Sequence, residues 1–365
     1  MTTNDKHPAI IVRSEQPFNA EPPLELLREN ECTPISCFFV RNHGPIPHID
    51  PIHYRLAVGG LVHRALSLSL NDLRTHFTSI DLPATLQCAG NRRTEMMAVQ
   101  PTPGELPWAE GAISTGVWRG VPLRDVLDFA GIDASASHVA LTGSDQVERL
   151  GSTFGFGGSI PLDKALSAEV MLAYDLNGEP LPPVHGFPLR LVAPGYIGAR
   201  SVKWLSRITL QPLPSNNYFQ AHAYKLFPPQ VHAGTVDWTQ GIMLDEVGIN
   251  AVICQPESGS VVAPGRIEVK GYAIGVAGMP ITQVELSSDG GATWMQAELV
   301  GSSQRWTWRF WQAEIELAAG RHQLVVRAAD EAGTRQPEDI TTIWNFKGYM
   351  NNAWYRIEVE VCNTD

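Results

Sequence analysis

The sequence predicts two domains: a mixed α and β first part reaching about Pro229, and an all-β second part from about Ile249 that reads as an immunoglobulin-like sandwich. Three observations carry this. The chain has 365 residues, long for one compact core. Its first part mixes loops and short strands with helical periods. Its second part reads as about seven short strands over roughly 115 residues, regularly spaced and without a helical period.

The elements of the first part follow from local chemistry. "HYRLAVGGLV", residues 53–62, alternates apolar and polar positions and then reaches Gly59-Gly60, a strand followed by a turn. "SLNDLRTHF" offers a Ser or Asn cap before apolar spacing, a short helix. In "PLRDVLDFAGI", Pro122 starts a helix, Leu123, Val126 and Leu127 share one face, and Gly131 stops it. "FPLRLVAPG" and "SVKWLSRITLQP" are strand-like runs bounded by Pro and Gly. "LPSNNYFQAHAYKLFPPQ" is a loop-rich stretch with four aromatics, Tyr218, Phe219, Tyr224 and Phe227. Beyond it, "AVICQP", "GRIEVKGYAIG", "TWRFWQAEIEL", "HQLVVRAAD" and "YRIEVEV" read as strands. "VELSSDGGATW" sets Asp-Gly-Gly between two alternating runs, a hairpin. Trp294, Trp306, Trp308 and Trp311 suit a sandwich core better than an interface.

A net charge of -11 and a pI near 5.5 exclude nucleic acid as the expected partner. Five scattered cysteines, Cys32, Cys37, Cys88, Cys254 and Cys362, form neither a disulfide framework nor a C-x-x-C metal pattern. No window is long and apolar enough for a membrane helix, and no basic, then apolar, leader opens the N-terminus, so a cytoplasmic protein is expected.

Cationic clusters stand out against this acidity. In "TLQCAGNRR", Cys88 precedes Gly90, which permits close backbone approach, and Arg92-Arg93, which favour a thiolate. The stretch admits a buried filler, a Cys-His nucleophile or a ligand to a soft metal. In "FFVRNHGPIPHIDPIH", Arg41, Asn42 and His43 gather where a strand gives way to a rigid loop. His43, His48 and His53 recur every five residues, a spacing that suits one face of neither helix nor strand, so ordinary loop histidines are expected over a zinc site. In "VHGFPLRLVAPGYIGARSVKWL", His185, Arg190, Arg200 and Lys203 lie among apolar runs, and cations buried there need an anionic partner such as a phosphate-bearing ligand. No Walker A or G-x-G-x-x-G pattern occurs.

Together with "RSEQPFNAEPPLELL", "GAISTGVWRGVPLRDVL", "LAYDLNGEPLPPVHGFPLRLVAPGYIGARSVKWL" and "IWNFKGYMNNAWYR", these stretches resemble, in order and over nearly the whole chain, the sulfite oxidase family of molybdenum enzymes. The resemblance implies an α+β molybdopterin-binding domain, residues 1–235, followed by an immunoglobulin-like dimerisation domain, residues 236–365, and a homodimer. It implies oxidation of sulfite to sulfate at a molybdenum-molybdopterin cofactor, with Cys88 as the thiolate ligand. Asn42, His43, Gly44, Pro45, Ile46, Asp145, His185, Arg190, Ser201, Val202 and Lys203 match the segments that cradle the pterin and its phosphate. Arg41, Arg93, Trp108 and Tyr224 match the anion pocket beside the metal. Lys347 stands where animal and plant sulfite oxidases have arginine; it keeps the charge but loses the bidentate fork. Met350-Asn351-Asn352 is similar to a run in the family's nitrate reductases, so nitrate is the alternative oxyanion, and a binding homologue without catalysis is a further one. With no C-x-x-C-H and no haem segment seen, no haem is expected, and electrons would pass to a separate acceptor such as a cytochrome or oxygen.

Overall fold

A computed structural model describes residues 5–362, so the outermost ends of the two expected domains, residues 1–4 and 363–365, lie outside the described residues. The first part is built on two five-stranded sheets. One runs in the order Gly157–Pro161, His138–Gly143, Leu205–Gln211, Leu56–Gly60, Leu66–Leu68. The other runs Glu179–Pro180, Met171–Leu176, Ile113–Pro122, Ile80–Gln87, with Arg190–Val192 also paired to Met171–Leu176. The parallel pair in the first sheet joins Leu205–Gln211 to Leu56–Gly60; the rest of that sheet is antiparallel.

The helices form where their sequences require. Leu70–His76 starts at a capping box: the Ser69 hydroxyl accepts from the Asp72 amide at 3.1 Å, and the Asp72 carboxylate accepts from the Ser69 amide at 2.8 Å. Leu123–Ala130 follows Pro122 and ends at Gly131, whose φ of 74° suits glycine. It buries Leu123, Val126, Leu127 and Ala130, so Leu127→Ala would cost about 2–5 kcal/mol. The aromatic loop contains one element that periodicity does not reveal, a π-helical turn at Phe219–Ala223.

The second part is mostly β. A four-stranded sheet (Asn250–Gln255, Gly265–Ile274, Arg309–Leu317, Glu298–Val300) and a five-stranded sheet (Val261–Val262, Tyr355–Val361, Gly320–Asp330, Ile281–Ser287, Met295–Gln296) share one core that includes Val252, Tyr272, Trp311, Leu324 and Ile357. The Asp-Gly-Gly hairpin forms, pairing Glu285 with Gln296 and Leu286 with Met295, and Asp289 closes its loop by accepting from Thr293. Trp308 and Trp311 are core residues; Trp294 stacks edge-on to Trp354 at 4.9 Å. Trp306 lies at the seam, where its carbonyl accepts from the Thr85 amide at 2.8 Å.

Candidate functional site

A cavity of about 660 Å³ opens at the ends of the sheet strands. Ten of the residues singled out from sequence line it: Arg41, Asn42, His43, Cys88, Asp145, His185, Arg190, Ser201, Lys203 and Tyr224. Asp145 is the one acidic side chain in that lining.

Cys88 follows directly on the strand Ile80–Gln87 and ahead of the helix Arg93–Val99. The Gly90 amide points at its Sγ from 3.4 Å. Burial pushes the Cys88 thiol up, and Arg41 and Arg93 only partly oppose this. The neighbouring arginines therefore do not by themselves make the free thiol a thiolate; burial outweighs them.

The opposite wall is cationic. Arg190 donates to the carbonyls of His185 at 2.9 Å and Ser201 at 3.1 Å, and burial lowers it to about 9. Lys203 bonds the Asn42 side-chain oxygen and the Val184 carbonyl. Burial, reinforced by Arg190, holds Lys203 well below the usual lysine value. His185 is likewise kept neutral by burial and by Lys6, whose Nζ lies 2.8 Å from His185 Nε2. Lys6 itself is lowered to about 7 by burial. Asp145 accepts from the Phe156 amide at 3.0 Å and is raised to about 6 by burial. So many buried basic groups, their charged forms disfavoured and one acid beside them, would be charged together only against an anionic guest.

A third corner holds His43, Tyr224 and Arg93. His43 stacks on Phe156 with centroids 4.4 Å apart, and its Nε2 lies 2.8 Å from the Tyr224 hydroxyl. Burial keeps this imidazole neutral and raises Tyr224 to about 12. Tyr224 stacks on Tyr349 at 5.3 Å. Arg93, adjoining the cavity rather than lining it, donates to Leu106, Lys347 and Gly348 carbonyls at 2.9, 3.0 and 3.2 Å. Lys347 Nζ pairs with Glu105, which also lies 3.6 Å from Arg93.

The remaining expected residues sit apart from the lining. Trp108 is fully buried in the cluster that holds Cys88, and its indole N–H has no partner among the described residues. Gly44 packs against the Gln146 carbonyl, Pro45 is exposed, and Ile46 packs beside Phe18 and Val40. Val202 is core. The three spaced histidines diverge: His48 and His53 are exposed, and His53 pairs with Asp50. Sequence reasoning missed Lys6, Glu105 and Asn19. Buried Asn19 accepts from Arg41 at 3.2 Å and from the Asn42 amide at 2.8 Å, which fixes both in place.

Among the described residues no group of three or more His, Cys, Asp or Glu could hold a metal ion. A metal at Cys88 must therefore bring its other ligands with it, as part of a cofactor. A lone thiol facing buried cations fits an anionic, metal-bearing cofactor.

Comparison with known proteins agrees. Residues 43–219 match the oxidoreductase molybdopterin binding domain, and residues 242–362 match the Mo-co oxidoreductase dimerisation domain. The fold is thus that of the molybdopterin-binding oxidoreductases, with a second, mostly β dimerisation domain. The mitochondrial sulfite oxidase of Homo sapiens is 45% identical over 98% of this chain and 66% of its own length. The sulfite oxidase of Arabidopsis thaliana is 37% identical over 96% of this chain and 94% of its own. The chain belongs to the sulfite oxidase family; it spans 66% of the length of its mammalian relatives, just under two thirds. Among solved structures, the sulfane dehydrogenase SoxCD from Paracoccus pantotrophus matches with a TM-score of 0.82 and 26% identity, covering 95% of this chain and 85% of that one.

Proposed function

We propose that this chain oxidises sulfite to sulfate at a molybdenum-molybdopterin cofactor held by Cys88 and passes the electrons to a separate acceptor, a cytochrome or oxygen. The observation that carries the reading is a cavity thiol, Cys88, that shares its cavity with the basic side chains of His185, Arg190 and Lys203 and feels the Arg41 and Arg93 charges. When bound, the cofactor supplies the transferable oxygen and accepts two electrons. Cys88 ligates the metal, which takes up the thiolate that burial alone disfavours. His185, Arg190, Ser201 and Lys203 would hold the pterin and its phosphate, with Asn42 setting the position of Lys203 and Asp145 favouring its charged form. Arg41, Arg93 and Lys347 offset the charge of a doubly negative substrate in a site screened from water. Tyr224, protonated across the neutral range, donates a hydrogen bond toward substrate, and neutral His43 holds its hydroxyl. Trp108 backs the Cys88 strand.

Residues 1–235 make up the cofactor domain in this reading, and residues 236–365 an immunoglobulin-like domain through which two copies pair. No helix among the described residues is long and apolar enough to cross a membrane; a cytoplasmic location rests on the sequence reading alone. The test is molybdenum content together with sulfite-dependent ferricyanide reduction, set against nitrate reduction by a reduced viologen. Sulfite turnover in molybdenum-loaded protein is expected; nitrate turnover without it overturns the assignment in favour of the alternative oxyanion.

A further inference from the structure

Glu105 occupies a place the anion chemistry does not ask for. Its carboxylate pairs with Lys347 Nζ and lies 3.6 Å from the Arg93 guanidinium, and all three side chains are largely buried. Arg93 Nε donates to the Lys347 and Gly348 carbonyls and Nη1 to the Leu106 carbonyl, which leaves Nη2 as the nitrogen that faces Glu105. A carboxylate therefore sits where a two-cation corner would hold an oxyanion. Glu105 is also among the charges that push the Tyr224 phenol up, so its field reaches the cavity. The segment that carries it is lightly tied. Pro103 and Gly104 are exposed, nothing surrounds the missing Cβ of Gly104, and the Glu105 amide has a single long bond, 3.3 Å, to the Thr102 carbonyl. The carboxylate can leave without shifting a core residue.

We propose that Glu105 is an internal competitor for the anion site, a carboxylate that substrate must displace from Arg93 and Lys347 and that thereby sets the affinity of the pocket. The proposal rests on the reading of those two cations as part of the anion corner. Displacement carries the same penalty for every anion. Weakly held monoanions such as chloride then fail to occupy the site at concentrations where a doubly charged oxyanion still does. Glu105 touches no reacting atom; it acts on affinity and leaves the chemical step alone.

The test uses molybdenum-loaded wild type, Glu105→Gln and Glu105→Ala. Sulfate binding to the oxidised holoenzyme is measured by titration calorimetry, alongside KM and kcat for sulfite with ferricyanide. Removing a paired carboxylate should tighten sulfate about fivefold or more, and lower the sulfite KM similarly, with kcat within about twofold. A merely structural Glu105 predicts the reverse, because Lys347 would lose its support and sulfate would bind more weakly. Sulfate affinity that is unchanged or weaker in both variants, with sulfite turnover intact and melting temperatures near wild type, overturns the competitor role alone. Loaded wild type that neither binds sulfate nor turns over sulfite overturns the underlying reading and the competitor with it.

Discussion

Arg92 and Arg93 are consecutive, but only Arg93 reaches the corner formed by Glu105 and Lys347. Arg92, at φ 64°, sends a fully buried guanidinium to both carboxylate oxygens of Glu95 at 2.7 Å, to the Asn250 side chain at 2.7 Å and to the Ala353 carbonyl at 2.9 Å. Arg93 points instead to the anion corner. Both tie the Cys88 loop to the β-rich second part, Arg92 through Asn250 and Ala353 and Arg93 through Lys347 and Gly348, and Arg93 also brings charge to the anion corner. Arg92→Met should therefore cost about 3 kcal/mol of stability by leaving buried acceptors unpaired, read by urea unfolding. Arg93→Gln should also cost stability, because the carbonyls that its buried guanidinium holds lose their donor, and should in addition raise the sulfite KM about tenfold or more. An Arg93→Gln variant whose sulfite KM matches wild type would contradict this division.

Gly90 keeps Arg93 where it is. A Cβ on Gly90 would meet the Arg93 guanidinium at 2.4 Å, and that guanidinium is already held by three carbonyls. Gly90→Ala is expected to displace Arg93 and raise the sulfite KM about tenfold with smaller loss of kcat. Steady-state kinetics on molybdenum-matched samples check this, and an unchanged KM would show that Arg93 has room to adapt.

Cys88→Ser should lose molybdenum while keeping its fold. Sγ has one polar contact, from the Gly90 amide, so the free protein gives up little, within about 1 kcal/mol. A serine hydroxyl stays protonated where the thiol can ionise for a soft metal. Elemental analysis should find molybdenum close to zero beside a melting temperature near wild type. Full retention of the metal would argue that Cys88 is not its ligand.

What the sequence revealed and what it hid divide along physical lines. The helix Leu70–His76 was legible because its cap partners, Ser69 and Asp72, are only three positions apart, and the hairpin because Asp289, Gly290 and Gly291 are contiguous. Cys88, Arg41 and Lys203 stood out as polar groups inside apolar runs. The partners Lys6 and His185 are 179 positions apart, and Glu105 and Lys347 are 242 apart. No local pattern encodes such pairs; only the meeting of distant loops brings them together. The different fates of Arg92 and Arg93 were hidden for a related reason, since they turn on the left-handed backbone at Arg92.

The Tyr224–His43 pair should govern proton handling rather than anion charge. With its phenol raised to about 12 by burial, Tyr224 stays protonated through any working pH and keeps its O–H as a donor. Tyr224→Phe should lower kcat about tenfold to a hundredfold while the basic limb of the pH profile below pH 10 keeps its position. A limb that disappears in Tyr224→Phe would mean the phenol ionises after all.

Lys6 makes the stability of the cofactor-free protein depend on pH in a defined direction. Burial lowers its pKa from 10.5 to about 7, so between those values the unfolded chain binds a proton that the folded chain does not. Stability from this group is therefore fully present above 10.5 and is lost as pH falls through about 7. In Lys6→Met that dependence is absent. The melting temperature of wild type minus that of Lys6→Met should thus rise steadily from pH 7 to pH 10, measured on cofactor-free protein at constant ionic strength. In the loaded protein an anionic phosphate near His185 would favour the charged lysine and flatten the slope. A difference that stays constant over the whole range in the cofactor-free pair would show that Lys6 titrates as an ordinary lysine.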